Sequence, residues 1–203
     1  MNYDDYPCDP TILLHPNIPK PLHLVAPRTV LGEAWWKSVK KKVKREANGR
    51  CQACGILQDD ALFHPWLECH ETYKIDYKAG TANYEKTVAI CHACHNYIHS
   101  GRMQALVDKG EMDESKMKLI LERGDRLLKL AKLKKPRDPS DCAPWEKWRM
   151  VIFGVEYGRK FDTFKDWAKH FGYPIRQMDE YDYLDDDDDP FGSDTIEWGG
   201  MGL

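Results

Sequence analysis

Cys51-Gln52-Ala53-Cys54-Gly55, then Leu67-Glu68-Cys69-His70-Glu71, then Cys91-His92-Ala93-Cys94-His95-Asn96-Tyr97-Ile98-His99-Ser100-Gly101 are the pieces of sequence on which the fold turns. A Cys-x-x-Cys turn offers two thiolates to one tetrahedral ion. Two such turns, at 51/54 and 91/94, make a closed four-cysteine structural zinc site. His95 and His99 are four residues apart, so on a helix both rings leave one face toward a common atom. One cassette of about fifty residues therefore encodes two metal sites with different jobs.

Working outward, the remaining cysteines, Cys8, Cys69 and Cys142, are scattered and bring the count to seven. An odd number built around two knuckles points to metal ligation in a reducing compartment, with a cytoplasmic location expected, and not to a disulfide framework. Of the 203 residues 42% are hydrophobic and 31% charged, which suits a soluble protein with a modest core. No apolar run is long enough for a membrane span, and the first thirty residues lack a basic segment followed by an apolar one, so no signal peptide is expected. The net charge of -3 conceals a segregation. Residues 31–135 hold 20 Lys and Arg against 14 Asp and Glu, whereas residues 136–203 hold 8 against 16. A basic middle suggests an anionic ligand, and an acidic end suggests competition or partner binding; solvated faces of opposite sign are the plainer alternative.

The fold class expected is α+β. Residues 1–30, with six prolines, read as an extended arm that wraps the domain or stays loose. Residues 31–110 form the zinc and metal domain. It opens with a helix over 33–47 whose apolar stripe (Trp35, Trp36, Val39, Val43, Ala47) is surrounded by lysines and ended by Asn48-Gly49. Residues 62–77 read as a hairpin with His70 on or near its first strand, and 92–99 as helix. A basic amphipathic helix follows over 111–135, its stripe interrupted only by Gly124. Residues 136–144 are a linker by composition. Residues 145–178 read as a small C-terminal module with a strand over 148–157, a turn at Gly158-Arg159 and a short helix over 163–171. Residues 179–203, with five consecutive aspartates at 185–189, are expected to form a disordered acidic tail.

The Cys-x-x-Cys-Gly, Leu-Glu-x-His and Cys-x-x-Cys-His-x-x-x-His elements together resemble the HNH (ββα-metal) endonuclease family over about a quarter of the chain. That resemblance implies a hairpin and a helix gripping one catalytic metal, with a four-cysteine zinc stapling the finger. It maps His70, His95 and His99 onto the family's metal ligands, and three neutral imidazoles leave open positions for water and phosphate. A second divalent ion is implied there, zinc, nickel or manganese in preference to magnesium, which favours oxygen ligands. The implied activity is hydrolysis of DNA phosphodiester bonds, in a protein of phage, mobile-element or defence origin. The catalytic set is Glu71, His70 and His95. Lys37, Lys40, Lys41, Lys44 and Arg45 would grip the nucleic-acid backbone without sequence preference. The alternative is an inactive HNH-like zinc module that binds nucleic acid or a protein partner.

Two departures from the family matter. The residue after the first ligand, a base-forming histidine in active members, is Glu71 here, and the central Asn that orients that base falls on Lys86. Glu71 is open to three roles: a weak base, since a neighbouring cation depresses a carboxylate; a fourth metal ligand; or a surface group paired with Lys74 or Lys86. His64 and His92 are read as structural. In the tail, Asp185 to Asp189 before Pro190-Phe191 resembles the acidic tip of bacterial single-stranded-DNA-binding proteins. It lies twelve residues from Leu203, however, without the free carboxylate such docking uses, so a solubilising or autoinhibitory strip is the favoured reading.

Overall fold

In the computed structural model, residues 8–172 are described except 138 and 140. The acidic tail of 179–203 and residues 173–178 of the expected C-terminal module lie outside the described residues. The chain is mixed α+β, with one four-stranded sheet and six helices among the described residues.

Strands β1 (Leu67–Asp76) and β2 (Thr81–Cys91) form an antiparallel hairpin, paired from Leu67 with Cys91 to Asp76 with Thr81. The hairpin therefore begins later and runs longer than residues 62–77. Asp76 closes its turn: the carboxylate Oδ1 accepts from Ala79 N at 2.9 Å, and its carbonyl from Gly80 N at 2.8 Å. Gly80 has φ +72, and a Cβ there would meet the Ala143 Cβ at 2.7 Å, so only glycine fits this corner. A bulge between Thr72 and Tyr73 shifts the register midway along the pair.

Helix α3 (His92–Ile98) leaves β2 directly and stops one residue before His99, whose φ, ψ of -96°, 49° break the helix ahead of α4 (Ser100–Asp108). The long helix α5 (Glu114–Leu130), capped by Asp113, packs on α3. The short α1 (Pro27–Val30) and the basic α2 (Gly32–Glu46) precede the first knuckle.

Beyond the linker, β3 (Arg149–Ile152) pairs parallel with β2, and β4 (Val155–Tyr157) returns antiparallel to β3. Their turn falls at Phe153-Gly154, not at Gly158-Arg159, because these two residues take positive φ (51° and 80°), whose twist suits a two-residue hairpin. The residues expected to form a separate module instead extend the same sheet. Trp148, Met150 and Ile152 are buried in one cluster with Leu22 and Val25 of the arm and Tyr73 of β1. Helix α6 (Phe164–Phe171) is capped by Thr163, and the Trp167 indole N–H donates to His23 Nδ1 of the arm at 3.1 Å.

The arm wraps. Ile12 and Leu13 are buried in the principal core with Tyr97, Ile120, Leu128 and the four knuckle cysteines. Among the described residues no helix is long and apolar enough to cross a membrane.

Candidate metal centres

Cys51, Cys54, Cys91 and Cys94 are all buried, and their sulfurs lie within 4.8 Å of one another. Cys54 and Cys91 Sγ are 3.9 Å apart. Zinc–sulfur bonds of about 2.3 Å in a tetrahedron place sulfurs roughly 3.8 Å apart, so the cluster has the dimensions of a structural zinc site. The first knuckle is closed by Gly55 N donating to Cys51 O at 2.7 Å, and Arg50 Nη1 donates to Gly55 O at 3.1 Å. Four thiols this close cannot all ionise without a cation. Hydrogen bonds from Cys51, Cys91 and Cys94 hold Cys54 far below the usual thiol range, while burial pushes Cys51 up. From α5, Arg123 Nη2 reaches Cys54 Sγ at 3.6 Å and supplies positive charge next to the cluster. The buried four-cysteine cluster can thus hold a metal such as zinc.

The structure brings His70, His95 and His99 together as well. All three are buried, one ligand nitrogen from each lies within 4.8 Å of the others, and the ring centroids form a triangle of 5.4, 5.1 and 4.9 Å. Three elements position them: β1 carries His70, α3 carries His95, and the break after α3 carries His99. Two of the rings are oriented from behind. His95 Nδ1 meets the Glu68 carboxylate, and His99 Nδ1 meets Asn17 Oδ1 at 2.7 Å. Both partners are acceptors, so each Nδ1 carries the proton and each Nε2 the lone pair. This is the tautomer in which metal-binding histidines are held by an outer carboxylate or carbonyl.

Glu71 takes a different place from those expected. Alternation along β1 sends its side chain to the face opposite His70, paired in register with Thr87. Its residue is only 5% exposed. Oε1 accepts from Arg28 N at 3.0 Å, Oε2 accepts from the Tyr73 hydroxyl at 3.1 Å, and the Arg28 guanidinium stands 3.9 Å away. The partner is therefore Arg28, forty-three residues upstream, and neither Lys74 nor Lys86. Lys86 is exposed, and its carbonyl accepts from Thr72 Oγ1 at 3.1 Å. Glu71 is not among the ligand atoms that converge with the three histidines. It does border, with Pro16, Asn17, Ile18, His70, Tyr73 and His99, a cavity of about 10 Å³, room for one water.

Three residues of the site received no role from the sequence. Glu68 and Asn17 orient ligands, and His15 stands edge-on to His70 with ring centroids 6.1 Å apart. Burial holds the His15 pKa below the ordinary histidine value. A charged residue at the start of β1, a polar residue between prolines and one of the two histidines of the arm have no spacing that ties them to the ligands, and only long-range packing gathers them. His64 and His92, read as structural, join Glu68 in a further group of potential ligands.

Lys37, Lys40, Lys41, Lys44 and Arg45 lie on α2. Lys37 pairs with Glu33 at 2.6 Å, Lys40 Nζ lies 5.9 Å from the Trp36 ring centroid, and Lys41, Lys44 and Arg45 are exposed. Trp35 of α2 meets Tyr84 at 6.1 Å, and the Tyr84 hydroxyl is 2.8 Å from Thr87 Oγ1. The basic helix thus covers the Glu71 and Thr87 face of the sheet, across from the histidine cluster. No protein-family model, no curated protein and no solved structure matches this chain.

Proposed function

We propose that this chain is a metal-dependent, HNH-type nuclease that hydrolyses phosphodiester bonds in DNA. One observation carries the reading: a β-hairpin followed at once by a helix focuses His70, His95 and His99 on a single point beside a four-cysteine knuckle. The donor set fits a divalent ion of the zinc, nickel or manganese class. Such an ion supplies Lewis acidity toward a phosphate oxygen. The chain's own residues do the rest. Glu68 and Asn17 fix the tautomers of two ligands. His15, edge-on to His70 and with its pKa lowered by burial, takes the proton of the attacking water in place of Glu71, whose carboxylate anchors Arg28 and Tyr73. The basic residues of α2 hold a stretch of backbone away from the scissile phosphate.

The engagement of Glu71 and the exposed Lys86 at the place of the orienting Asn favour a second reading, a non-catalytic module that binds nucleic acid or a protein. Plasmid nicking across zinc, nickel, manganese and magnesium separates the two. The nuclease reading expects nicking with at least one ion, its abolition in His99→Ala, a loss of about 10²–10⁴-fold in His15→Ala, and only a modest loss in Glu71→Gln. Intact plasmid with every ion, from protein whose histidine site is metal-loaded, establishes the non-catalytic module instead.

A further inference from the structure

We propose that His64, Glu68 and His92 form a third metal site, distinct from the cysteine and three-histidine clusters, that binds a divalent ion of the zinc class. One donor atom from each residue lies within 4.8 Å of the others. Glu68 Oε1 is the hub, 2.7 Å from His92 Nδ1 and 3.5 Å from His64 Nε2. Ligand atoms at about 2.1 Å from a tetrahedral ion sit roughly 3.4 Å apart. The His64 separation already has that value. The His92 separation is that of a hydrogen bond, and an ion replaces the shared proton when the pair opens by about 0.7 Å. Two imidazoles and one carboxylate are a ligand set that zinc uses when a coordination position is left to solvent. The side chains of His64, Glu68 and His92 keep 19, 24 and 17% of their surface exposed, which provides that position.

The surrounding loop holds the rings in place. Trp66 stacks on His64 with centroids 3.9 Å apart and planes 8° from parallel, and His64 meets His92 at 4.1 Å. Phe63 stands edge-on to His92 at 5.7 Å, and its backbone takes φ +80, a region that bulky residues rarely adopt. Backbone strain of this kind persists where the surroundings dictate it. Here it belongs to the turn that delivers His64 and Pro65 to the mouth of the hairpin.

Glu68 is shared between this site and the three-histidine cluster. Oε1 faces the outer group while Oε2 holds His95 Nδ1. The full width of the His95 ring separates the two points, well beyond the ~4 Å of paired-metal catalytic centres, so the ions do not share a substrate oxygen. An outer cation draws charge from Glu68 and weakens its grip on His95. Filling one site therefore lowers the affinity of the other, and the effect is reciprocal.

The test counts ions on the full chain. Wild type, His64→Ala and His99→Ala are equilibrated against micromolar zinc, and zinc per folded chain is measured by elemental analysis and native mass spectrometry. His64→Ala is expected to carry one ion fewer than wild type, with its melting temperature unchanged at low free zinc. Equal zinc in the two proteins overturns the proposal and leaves Glu68 a hydrogen-bond acceptor only. The His99→Ala count reads the inner site separately, so failure of one assignment is not mistaken for failure of the other. If His64→Ala does not fold, His64→Gln takes its place in the same comparison.

Discussion

Gly124 sits in the middle of α5, where helix propensity alone says alanine is better by about 0.8–1 kcal/mol. The packing says the opposite. A Cβ at Gly124 would lie under 3.0 Å from three carbons of the Tyr97 ring, against the 3.5–4.0 Å that carbon atoms prefer. Tyr97 cannot swing aside freely. It is 4% exposed, and its hydroxyl donates to Asp125 Oδ1 at 2.6 Å. Overpacking costs about 1–3 kcal/mol, and loss of a hydrogen bond to a carboxylate about 1.5–3 more. Against a propensity gain near 1, Gly124→Ala should destabilise by about 3 kcal/mol. For a chain of this size that lowers the melting temperature by about 6–12 °C. Thermal unfolding followed by circular dichroism, at fixed free zinc because bound metal stabilises the native state, measures it. In a Tyr97→Leu background, where the ring is gone, the same substitution should be neutral or slightly stabilising. A Gly124→Ala single mutant that melts at or above the wild-type temperature refutes the reasoning. It would show that α3 and α5 approach less closely than described.

Cys54→Ser should abolish zinc at the knuckle and with it cooperative unfolding, since structural zinc contributes folding free energy outright; soluble Cys54→Ser protein that melts cooperatively without zinc would contradict the four-cysteine assignment. Asn17→Ala should weaken metal binding at the three histidines by about 10–100-fold while leaving the cysteine zinc in place. Isothermal titration of zinc-loaded protein with a second equivalent of metal, in a His64→Ala background that removes the outer site, checks this, and an unaltered dissociation constant would remove Asn17 from the three-histidine site.

The parts of this structure legible in the sequence were those whose geometry is local. Two residues between cysteines fix a turn, and α3 follows from a helical spacing after Cys91, whereas residues 62–77, read as a whole hairpin, hold only its first strand, the second running from Thr81 to Cys91. The stripe of α5 was visible, and Gly124 stood out as its weak point, but the reason for it lies on another helix. Partners set by long-range packing were not legible. Arg28 meets Glu71 across forty-three residues, and β3 joins β2 in parallel after the intervening helices and linker, with nothing in residues 145–157 to announce which edge they would seek. Alternation also separates neighbours that look like one motif: His70 and Glu71 are adjacent in sequence and face opposite sides of a sheet. That is why a base placed by adjacency and the carboxylate found by geometry do different things.

The contact between Asn17 and His99 spans 82 residues. During synthesis Asn17 leaves the ribosome before the second knuckle does, and its amide has nothing to orient until that knuckle has formed. Closing so long a loop is slow compared with winding a helix. The cassette of 51–101, cut out as a minimal peptide, would still contain every cysteine and histidine that the motif names. It would lack the oxygen that sets the His99 tautomer, and it would lack His15. Affinities or activities measured on such a fragment would describe three loosely aimed imidazoles, so the arm belongs in any minimal version of this protein.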